Sequence, residues 1–269
     1  MYTVVTLYQL RAQLGLRPKE TADDHRLLWA LGAATRHCER YTGRKLLPVH
    51  ATHYHDVDRR HPKELLLEDD LLELTGVTNG DGRSIPLSQL RRIPNARQPA
   101  SALRLNNGTQ FVYRETPLAA VAVDGIWGWH DDWSRAWRDT GVQVQEDPLT
   151  AAAVTLTVPA EEEKVGRAPR FQVGQLLRIG DEYLRLRQIT AVRDGGLLLT
   201  VTRGAQESPA STHRAGSAIH RYHPPDDLTQ AVLQLAAWLV QVQRQLASQD
   251  LPPAIRTLLR GLRRTVVRV

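Results

Sequence analysis

Helical periodicity is confined to the two ends of this 269-residue chain. Between Leu27 and Tyr41, and again after Asp226, apolar residues recur at the three- and four-residue spacing of an amphipathic helix. Residues 46–222 show instead short alternating stretches divided by Gly, Pro, Asn and Asp, which is typical of strands and turns. The chain must therefore build any helical core from both of its ends and carry its β structure between them.

This arrangement predicts an α+β fold, with a small helical core built from both chain ends and a large inserted β region that includes a compact β-barrel or sandwich-like module. We predict four parts along the chain. They are N-terminal helices of the core at 1–45, an inserted β-rich region with a Trp-rich loop at 46–150, a small β module at 151–223, and C-terminal helices of the core with a basic tail at 224–269.

The same patterns predict the individual elements. The expected helices are 6–13, 22–42, 226–247 and 250–264. The expected strands are 50–58, two short ones within 64–77, 102–105, 110–114, 119–129, 153–158, 175–180, 182–190, 196–204 and 218–222. Thr21, followed three residues later by Asp24, is a capping-box pattern for the second helix.

Composition excludes several classes of protein. A single cysteine, Cys38, cannot form an internal disulfide or a zinc cage. No apolar run reaches the ~18–20 residues that a membrane span needs, and the first residues lack the core of a signal peptide. We therefore expect a soluble protein that stays in a cytoplasm or assembles there.

The positive charge is concentrated at the C-terminus. The chain has 35 basic and 29 acidic residues, and 251–269 contain five arginines but no acid. These arginines are Arg256, Arg260, Arg263, Arg264 and Arg268. On a helix, the first four share one arc and the leucines and isoleucine between them share another. One face can then pack, while the arginine face is a solvated surface, a protein-docking surface or a phosphate contact.

Four closely spaced tryptophans form a second candidate site. They are Trp127, Trp129, Trp133 and Trp137, with His130, Asp131 and Asp132 between them. Such aromatics can stack on a sugar or a base, which makes this a possible partner-contact loop. The simpler interpretation is a glycine-containing loop fixed by its own aromatic residues, with a polar turn at 130–132.

No motif indicates an enzyme, a cofactor or a metal site. His53 and His55 share one strand face, which is the spacing of a metal pair, but only Asp56 and Asp58 lie near as partners. We interpret these histidines, with His50 and His61, as a solvated face. Residues 79–82 lack the downstream Glu of a calcium loop and predict a hairpin turn. Nucleotide-binding, serine-hydrolase and zinc-protease patterns are absent from the sequence.

Several segments resemble the head–tail connector (adaptor) proteins of long-tailed bacteriophages. They are Leu7–Leu16, Asp23–Arg44, Leu65–Gly82, Trp127–Trp133, Val173–Arg185, Leu199–Gly204 and His213–Ile219. The resemblance touches most of the chain, but residues 46–222 form a larger insertion than minimal connectors carry.

The resemblance implies a non-enzymatic structural protein of the virion. Such connectors form a ring, commonly of twelve copies, under the portal protein, where they extend the DNA channel and provide the attachment surface for neck or tail-completion proteins. The implied partners are therefore the portal protein, a neck or tail-completion protein, further copies of the chain and non-specifically contacted genomic double-stranded DNA, with no membrane. The implied location is the virion neck at the head–tail interface, after assembly in the host cytoplasm. The C-terminal segment of such proteins often docks on the portal, so the five arginines are candidates for contact with portal or DNA.

Two other functions remain open from the residues alone. One is a phage tail or baseplate binding module that contacts a host glycan through the Trp-rich loop. The other is an accessory protein that binds DNA through its arginine tail.

Overall fold

Two structural units divide the chain. One combines Met1–Gly43 with Arg135–Val269, and the other spans Arg44–Ser134. The computed structural model describes residues 3–17, 22–94, 99–106, 108–160, 168–192, 195–242 and 252–264. Within these ranges the chain forms four α-helices and eleven β-strands.

The unit formed by both chain ends contains the four helices. They are α1 (Leu7–Gln13), α2 (Asp24–Thr42), α3 (Asp226–Val242) and α4 (Pro253–Arg260). α1 packs on α2 and α3, and α4 packs on the same two helices. Helices from the two ends of the sequence therefore form one helical core, which confirms this part of the predicted fold class.

Local sequence explains where α1 begins and α2 ends. The Thr6 hydroxyl accepts a hydrogen bond from the backbone N–H of Gln9, and the Gln9 side chain accepts one from the backbone N–H of Thr6. Gly43 ends α2 with a φ of 66°, in the left-handed region that favours glycine. The predicted capping role of Thr21 lies outside the described residues.

α4 is shorter than the sequence predicts. Its last helical residue is Arg260, whereas the periodicity suggested an end near Arg264. Gly261 follows directly, and glycine is the poorest helix former after proline. Arg263 and Arg264 therefore follow the helix instead of continuing its regular face.

The apolar stripes of the helices face the core. The buried residues are Leu10 of α1; Leu27, Leu31, Ala34 and Cys38 of α2; Leu228, Val232 and Leu235 of α3; and Ile255 and Leu259 of α4. These are the stripes that the helical spacing predicts, except that three of their predicted members, Tyr41, Leu239 and Leu258, are half-buried. The predicted positions 242 and 246 lie outside the described side chains.

The Arg44–Ser134 unit is built on a five-stranded antiparallel sheet. Its strands are β1 (Val49–His55), β2 (Glu64–Thr78), β3 (Leu90–Ile93), β4 (Ala100–Leu105) and β5 (Val121–Trp127), in the order β1-β5-β2-β4-β3. Buried side chains that include Leu65, Leu103 and Trp127 form its core. The period-two alternation that predicted the strands is the same alternation that fills this core.

Two strand predictions in this unit are wrong. The predicted pair of strands at 64–77 is one long strand, β2, with a shift in its pairing to β4 between Leu66 and Leu71. Asp69 and Asp70 lie within this irregular stretch, where the sequence suggested a break. The segment 110–114 forms no strand and contributes a single bridge from Tyr113.

A six-stranded antiparallel sheet belongs to the unit that also contains the helices. Its strands are β6 (Trp137–Gln143), β7 (Thr155–Pro159), β8 (Leu176–Ile179), β9 (Glu182–Ala191), β10 (Gly196–Thr202) and β11 (Ala218–Tyr222), in the order β6-β11-β8-β9-β10-β7. The outer strands β6 and β7 have no ladder between them, so the described part of this sheet is open and not a closed barrel.

Apolar residues from all six strands form the core of this sheet. They include Val142, Leu156, Leu177, Leu184, Leu199 and Ile219. The N-terminal segment is attached to the same module, because the Thr6 hydroxyl donates to the buried Gln172 side chain and the Arg185 guanidinium donates to the carbonyl oxygens of Thr3 and Gly174. Across the described ranges, no helix is both long and apolar enough to cross a membrane.

Candidate partner-binding surface

α4 separates its apolar and charged residues as the sequence predicts. Ile255 and Leu259 are buried, and Leu262 just beyond the helix is also buried. Arg256, Arg260 and Arg263 are exposed, whereas Arg264 is half-buried. Arg268 lies outside the described residues.

Two contacts fix the end of this segment beside the end of α2. The backbone N–H of Arg264 donates to the carbonyl oxygen of Thr42 at 2.8 Å. The guanidinium carbon of Arg263 lies 5.7 Å from the centre of the Tyr41 ring, within the range of a cation–π contact. The C-terminal arginines are therefore held against the last turn of α2.

α2 adds two arginines that the sequence analysis did not identify. Arg36 and Arg40 are exposed and lie one turn apart. At about 100° per residue, they share an arc of about 140° with His37 and Tyr41. Because Tyr41 contacts Arg263, this arc adjoins the C-terminal segment. We call Arg36, Arg40, Arg256, Arg260 and Arg263 the arginine surface.

The pKa of His37 is affected by the positive charges of this surface. Its Nδ1 lies 3.2 Å from Nη2 of Arg40. Burial lowers the pKa of His37, and the positive charges of Arg40 and Arg36 lower it further. The imidazole is therefore held neutral in a positive environment.

The other half of α2 exposes apolar side chains. Leu28 is 46% exposed and Trp29 is 47% exposed. Both lie off the buried stripe that contains Leu27 and Leu31. The sequence already indicated their exposure, because large apolar residues outside the main apolar stripe of a helix do not face its core. We call Leu28 and Trp29 the apolar pair.

The tryptophans are mostly structural. Trp127 is fully buried and donates from Nε1 to the Ala51 carbonyl oxygen at 2.9 Å, and Trp129 is also buried. Trp133 is half-buried and donates to the Glu73 carboxylate at 3.3 Å. These three tryptophans belong to the Arg44–Ser134 unit, whereas Trp137 belongs to the unit that contains the helices. Burial removes Trp127 and Trp129 from the surface, so contact through this loop stays a prediction for Trp133 and Trp137 alone.

Trp137 packs within the six-stranded module. Its ring centre lies 4.8 Å from that of Tyr183 and 5.3 Å from that of Tyr222. The Arg178 guanidinium lies over the same ring at 5.6 Å. These contacts explain why an aromatic residue stands at the start of β6.

The interpretation of a solvated histidine face is wrong for His55 of β1, which is buried, whereas His50 and His53 are half-buried and His61 is exposed. His55 is buried, and the His53 ring stacks on Trp127 with a centroid distance of 4.2 Å. His53 Nδ1 also lies 3.3 Å from the Asp69 carboxylate. Among the residues that the structure describes, no group of three or more His, Cys, Asp or Glu side chains could hold a metal ion.

The predicted hairpin turn at 79–82 is confirmed, whereas the predicted polar turn at 130–132 contains a buried histidine. Gly82 donates its backbone N–H to the Asn79 carbonyl oxygen, and Asn79 donates to that of Arg83, each at 2.8 Å. His130 is buried, and its Nδ1 accepts from the backbone N–H of Asp132 at 3.0 Å.

A buried ionic cluster in the six-stranded module escaped the sequence analysis. Arg203 forms a two-pronged ion pair with Glu182, with both N–O distances at 2.7 Å. His213 Nε2 lies 2.7 Å from the same carboxylate, which also accepts the backbone N–H groups of Gly204 and Ser211. All three side chains are at least nine-tenths buried. Because the carboxylate is surrounded by protein donors, the cluster is a structural one.

No protein-family model matches this chain, and no curated protein matches it. A solved structure described as "Neck of empty GTA particle computed with C6 symmetry" is similar to it. The two chains are 15% identical, the alignment covers 98% of this chain and 91% of that chain, and the TM-score is 0.41.

Proposed function

We propose that this protein is a structural head–tail connector of a phage-like particle. In this role about twelve copies form a ring under the portal protein, extend the DNA channel and provide the attachment surface for neck or tail-completion proteins. The observation that carries the proposal is the helical core built from both chain ends, in which α2 presents two chemically different exposed surfaces. The proposed role requires no cofactor and no chemical step.

The apolar pair supports assembly into a ring. Each subunit of a closed ring buries one surface against one neighbour and a different surface against the other. Leu28 and Trp29 are large, adjacent and nearly half exposed. Aromatic residues are enriched at the centre of protein interfaces. A second copy of the chain is therefore the partner that we assign to this end of α2.

The arginine surface supports contact with an anionic partner at the neck. The arginines we assign to the portal or the DNA are Arg256, Arg260, Arg263, Arg264 and Arg268. Arginine presents a planar fork of donors that matches carboxylates and phosphates. The first three are exposed, because α4 directs its apolar residues inward.

The first experiment is a measurement of mass by light scattering. The protein is measured alone and then mixed with the portal protein of the same phage-like particle. We expect either a ring of about twelve 30.2-kDa subunits or a complex with the portal of matching stoichiometry. A protein that stays monomeric and does not bind the portal would contradict the proposal.

A glycan array distinguishes the tail or baseplate alternative. Binding to a glycan that is lost in Trp133→Ala would favour that alternative, because Trp133 is the half-exposed tryptophan of the Arg44–Ser134 unit. The connector proposal expects no glycan binding above background.

A further inference from the structure

We infer that α2 and α4 form one binding surface for the phosphate backbone of duplex DNA, and that Arg36 and Arg40 belong to it together with the C-terminal arginines. This inference rests on the proposed function, because a neck connector surrounds the path of the genome. It adds to that function a pair of residues and a chemical class of partner.

The first argument is geometric. Arg36 and Arg40 share an arc of α2 with Tyr41, and Tyr41 contacts Arg263. The hydrogen bond from Arg264 to Thr42 fixes the C-terminal segment at the same end of α2. The two sets of arginines therefore lie on adjoining parts of one helical core.

The second argument is the distribution of charge. Residues 252–264 contain no acidic side chain. Beyond its first turn, α2 has one acidic residue, Glu39, which lies three residues after Arg36 and next to Arg40, so residues 36–40 carry a net charge of +1 with His37 neutral. Burial is the largest cause of the lowered pKa of His37, and Arg40 and Arg36 lie close enough to this imidazole to lower it further.

The third argument is that helix stability does not explain the position of Arg256. Cations stabilise the last turn of a helix, which accounts for Arg40, and Arg36 lies three residues before Glu39, the spacing at which opposite charges on a helix interact. Arg256 lies near the N-terminal end of α4, where a positive charge opposes the helix dipole. Its position therefore fits an external anion better than it fits the needs of its helix.

The fourth argument selects DNA over an acidic protein. Protein interfaces have an apolar centre that is depleted of charge. On α4 and its C-terminal flank, Ile255, Leu259 and Leu262 are buried and Leu258 is half-buried. On α2, the exposed Trp29 lies about 10 Å along the axis before Arg36, at the end that we assign to a second copy of the chain. Arg36 with Arg40, and Arg256 with Arg260, are each separated by about 6 Å along a helix axis. That distance is close to the rise of two nucleotides in one DNA strand, about 7 Å.

The test is duplex binding by the full-length protein over a series of salt concentrations. Fluorescence anisotropy with two short duplexes of unrelated sequence should give equal dissociation constants, between about 10⁻⁴ and 10⁻⁶ M at physiological salt. The R36Q/R40Q variant should bind more weakly, and its slope of log affinity against log salt should fall by about two. R256Q/R260Q should behave in the same way, while R36K/R40K should keep the slope.

The matched control removes the same charge from the other structural unit. Arg60 and Arg91 are exposed arginines of the Arg44–Ser134 unit. R60Q/R91Q should bind DNA with the affinity and salt slope of the unchanged protein. Thermal melting of every variant confirms that the comparison is between folded proteins.

A spectroscopic signal locates the contact. In an NMR titration, duplex DNA should raise the pKa of His37, because phosphates offset the positive charges of Arg40 and Arg36. His37→Gln identifies its resonance among those of the ten histidines. DNA at a distant site would leave the pKa of His37 unchanged, and that result would overturn the inference.

Two further results would overturn it. One is wild-type DNA affinity and salt slope in R36Q/R40Q. The other is no duplex binding at low salt together with portal binding that requires the arginine surface, which would assign this surface to an acidic protein.

Light scattering on the same samples separates this inference from the proposed function. Normal rings that do not bind DNA contradict this inference alone, whereas monomers that ignore the portal contradict the proposed function.

Discussion

The backbone N–H of Arg264 donates a hydrogen bond to the carbonyl oxygen of Thr42, with an N–O distance of 2.8 Å. Thr42 is the last residue of α2, and its carbonyl has no partner within the helix. The bond therefore satisfies a helix terminus with a residue from the opposite end of the chain. It follows that the C-terminal segment is part of the helical core as well as a carrier of charge.

Replacing Leu259 by Ala should strongly destabilise the protein. Its side chain is fully buried where α4 packs on α2 and α3. We expect the free energy of unfolding to fall by about 2–5 kcal/mol, because the substitution removes buried apolar area and leaves a cavity. Urea denaturation followed by circular dichroism measures this change.

Leu258→Ala is the matched control for that substitution. Leu258 is the preceding residue of the same helix and is only half-buried. Its replacement should cost less than about 1 kcal/mol. Equal losses at the two positions would show that α4 does not pack as described.

The same packing predicts that a truncation removing α4 weakens the helical core. Charge substitutions therefore test the arginines better than a truncation does, because they leave this packing in place.

Glu182→Gln should also reduce the free energy of unfolding. The substitution leaves the Arg203 guanidinium buried without its carboxylate partner. Breaking one side of a buried ion pair costs about 3–5 kcal/mol. Asp181→Asn, at the neighbouring carboxylate that is 90% exposed, is the control and should change stability by less than about 0.5 kcal/mol.

The pH dependence of stability provides a second measurement on the same cluster. Burial alone would raise the pKa of Glu182, but the hydrogen bonds from Arg203, His213 and two backbone N–H groups lower it below its ordinary value. The charged carboxylate therefore stabilises the fold above the pKa of an unfolded glutamate, about 4.3, and this contribution is lost as the pH falls through the lower folded value. The acid-induced loss of stability should be smaller in Glu182→Gln, and an unchanged pH profile would contradict this assignment.

The sequence predicted elements that depend on local pattern. The stripe from Leu27 to Cys38 and the five strands between 153 and 222 correspond closely to α2 and to β7–β11. Period and turn chemistry act over a few residues, so a single sequence contains them. β6 escaped prediction because Trp137–Gln143 is rich in polar residues and acquires its strand form by pairing with β11.

Only part of the candidate site could be predicted from the sequence, because local patterns do not show contacts between distant segments. The C-terminal arginines are close together in the sequence, so their charge is visible there. Arg36 and Arg40 join them only because α4 packs on α2. Glu182 and Arg203 likewise become partners through the folding of β9 and the segment after β10. Contacts between distant segments are not encoded in local periodicity.

Trp127→Ala and Trp133→Ala should have different effects. Trp127 is fully buried in the core of the five-stranded sheet and stacks with His53. Its replacement should cost about 3–5 kcal/mol of unfolding free energy, whereas replacement of the half-buried Trp133 should cost less than about 2 kcal/mol. Urea denaturation monitored by tryptophan fluorescence compares the two. A large loss at Trp133 would mean that this residue is structural, and its use as a glycan contact would then be hard to test by substitution.

Trp29→Glu should prevent self-association without unfolding the subunit. The Trp29 side chain is 47% exposed, so a charge at this position costs little in the monomer, but it would be buried without a partner in a subunit interface. Light scattering should then give the 30.2-kDa mass of one subunit under conditions in which the unchanged protein forms larger assemblies. Leu66→Glu is the control, because Leu66 is 51% exposed but lies in the Arg44–Ser134 unit, away from α2 in the sequence. Rings that form normally with Trp29→Glu would exclude the apolar pair as the contact between copies, and dissociation by both variants would point to a general effect of added charge.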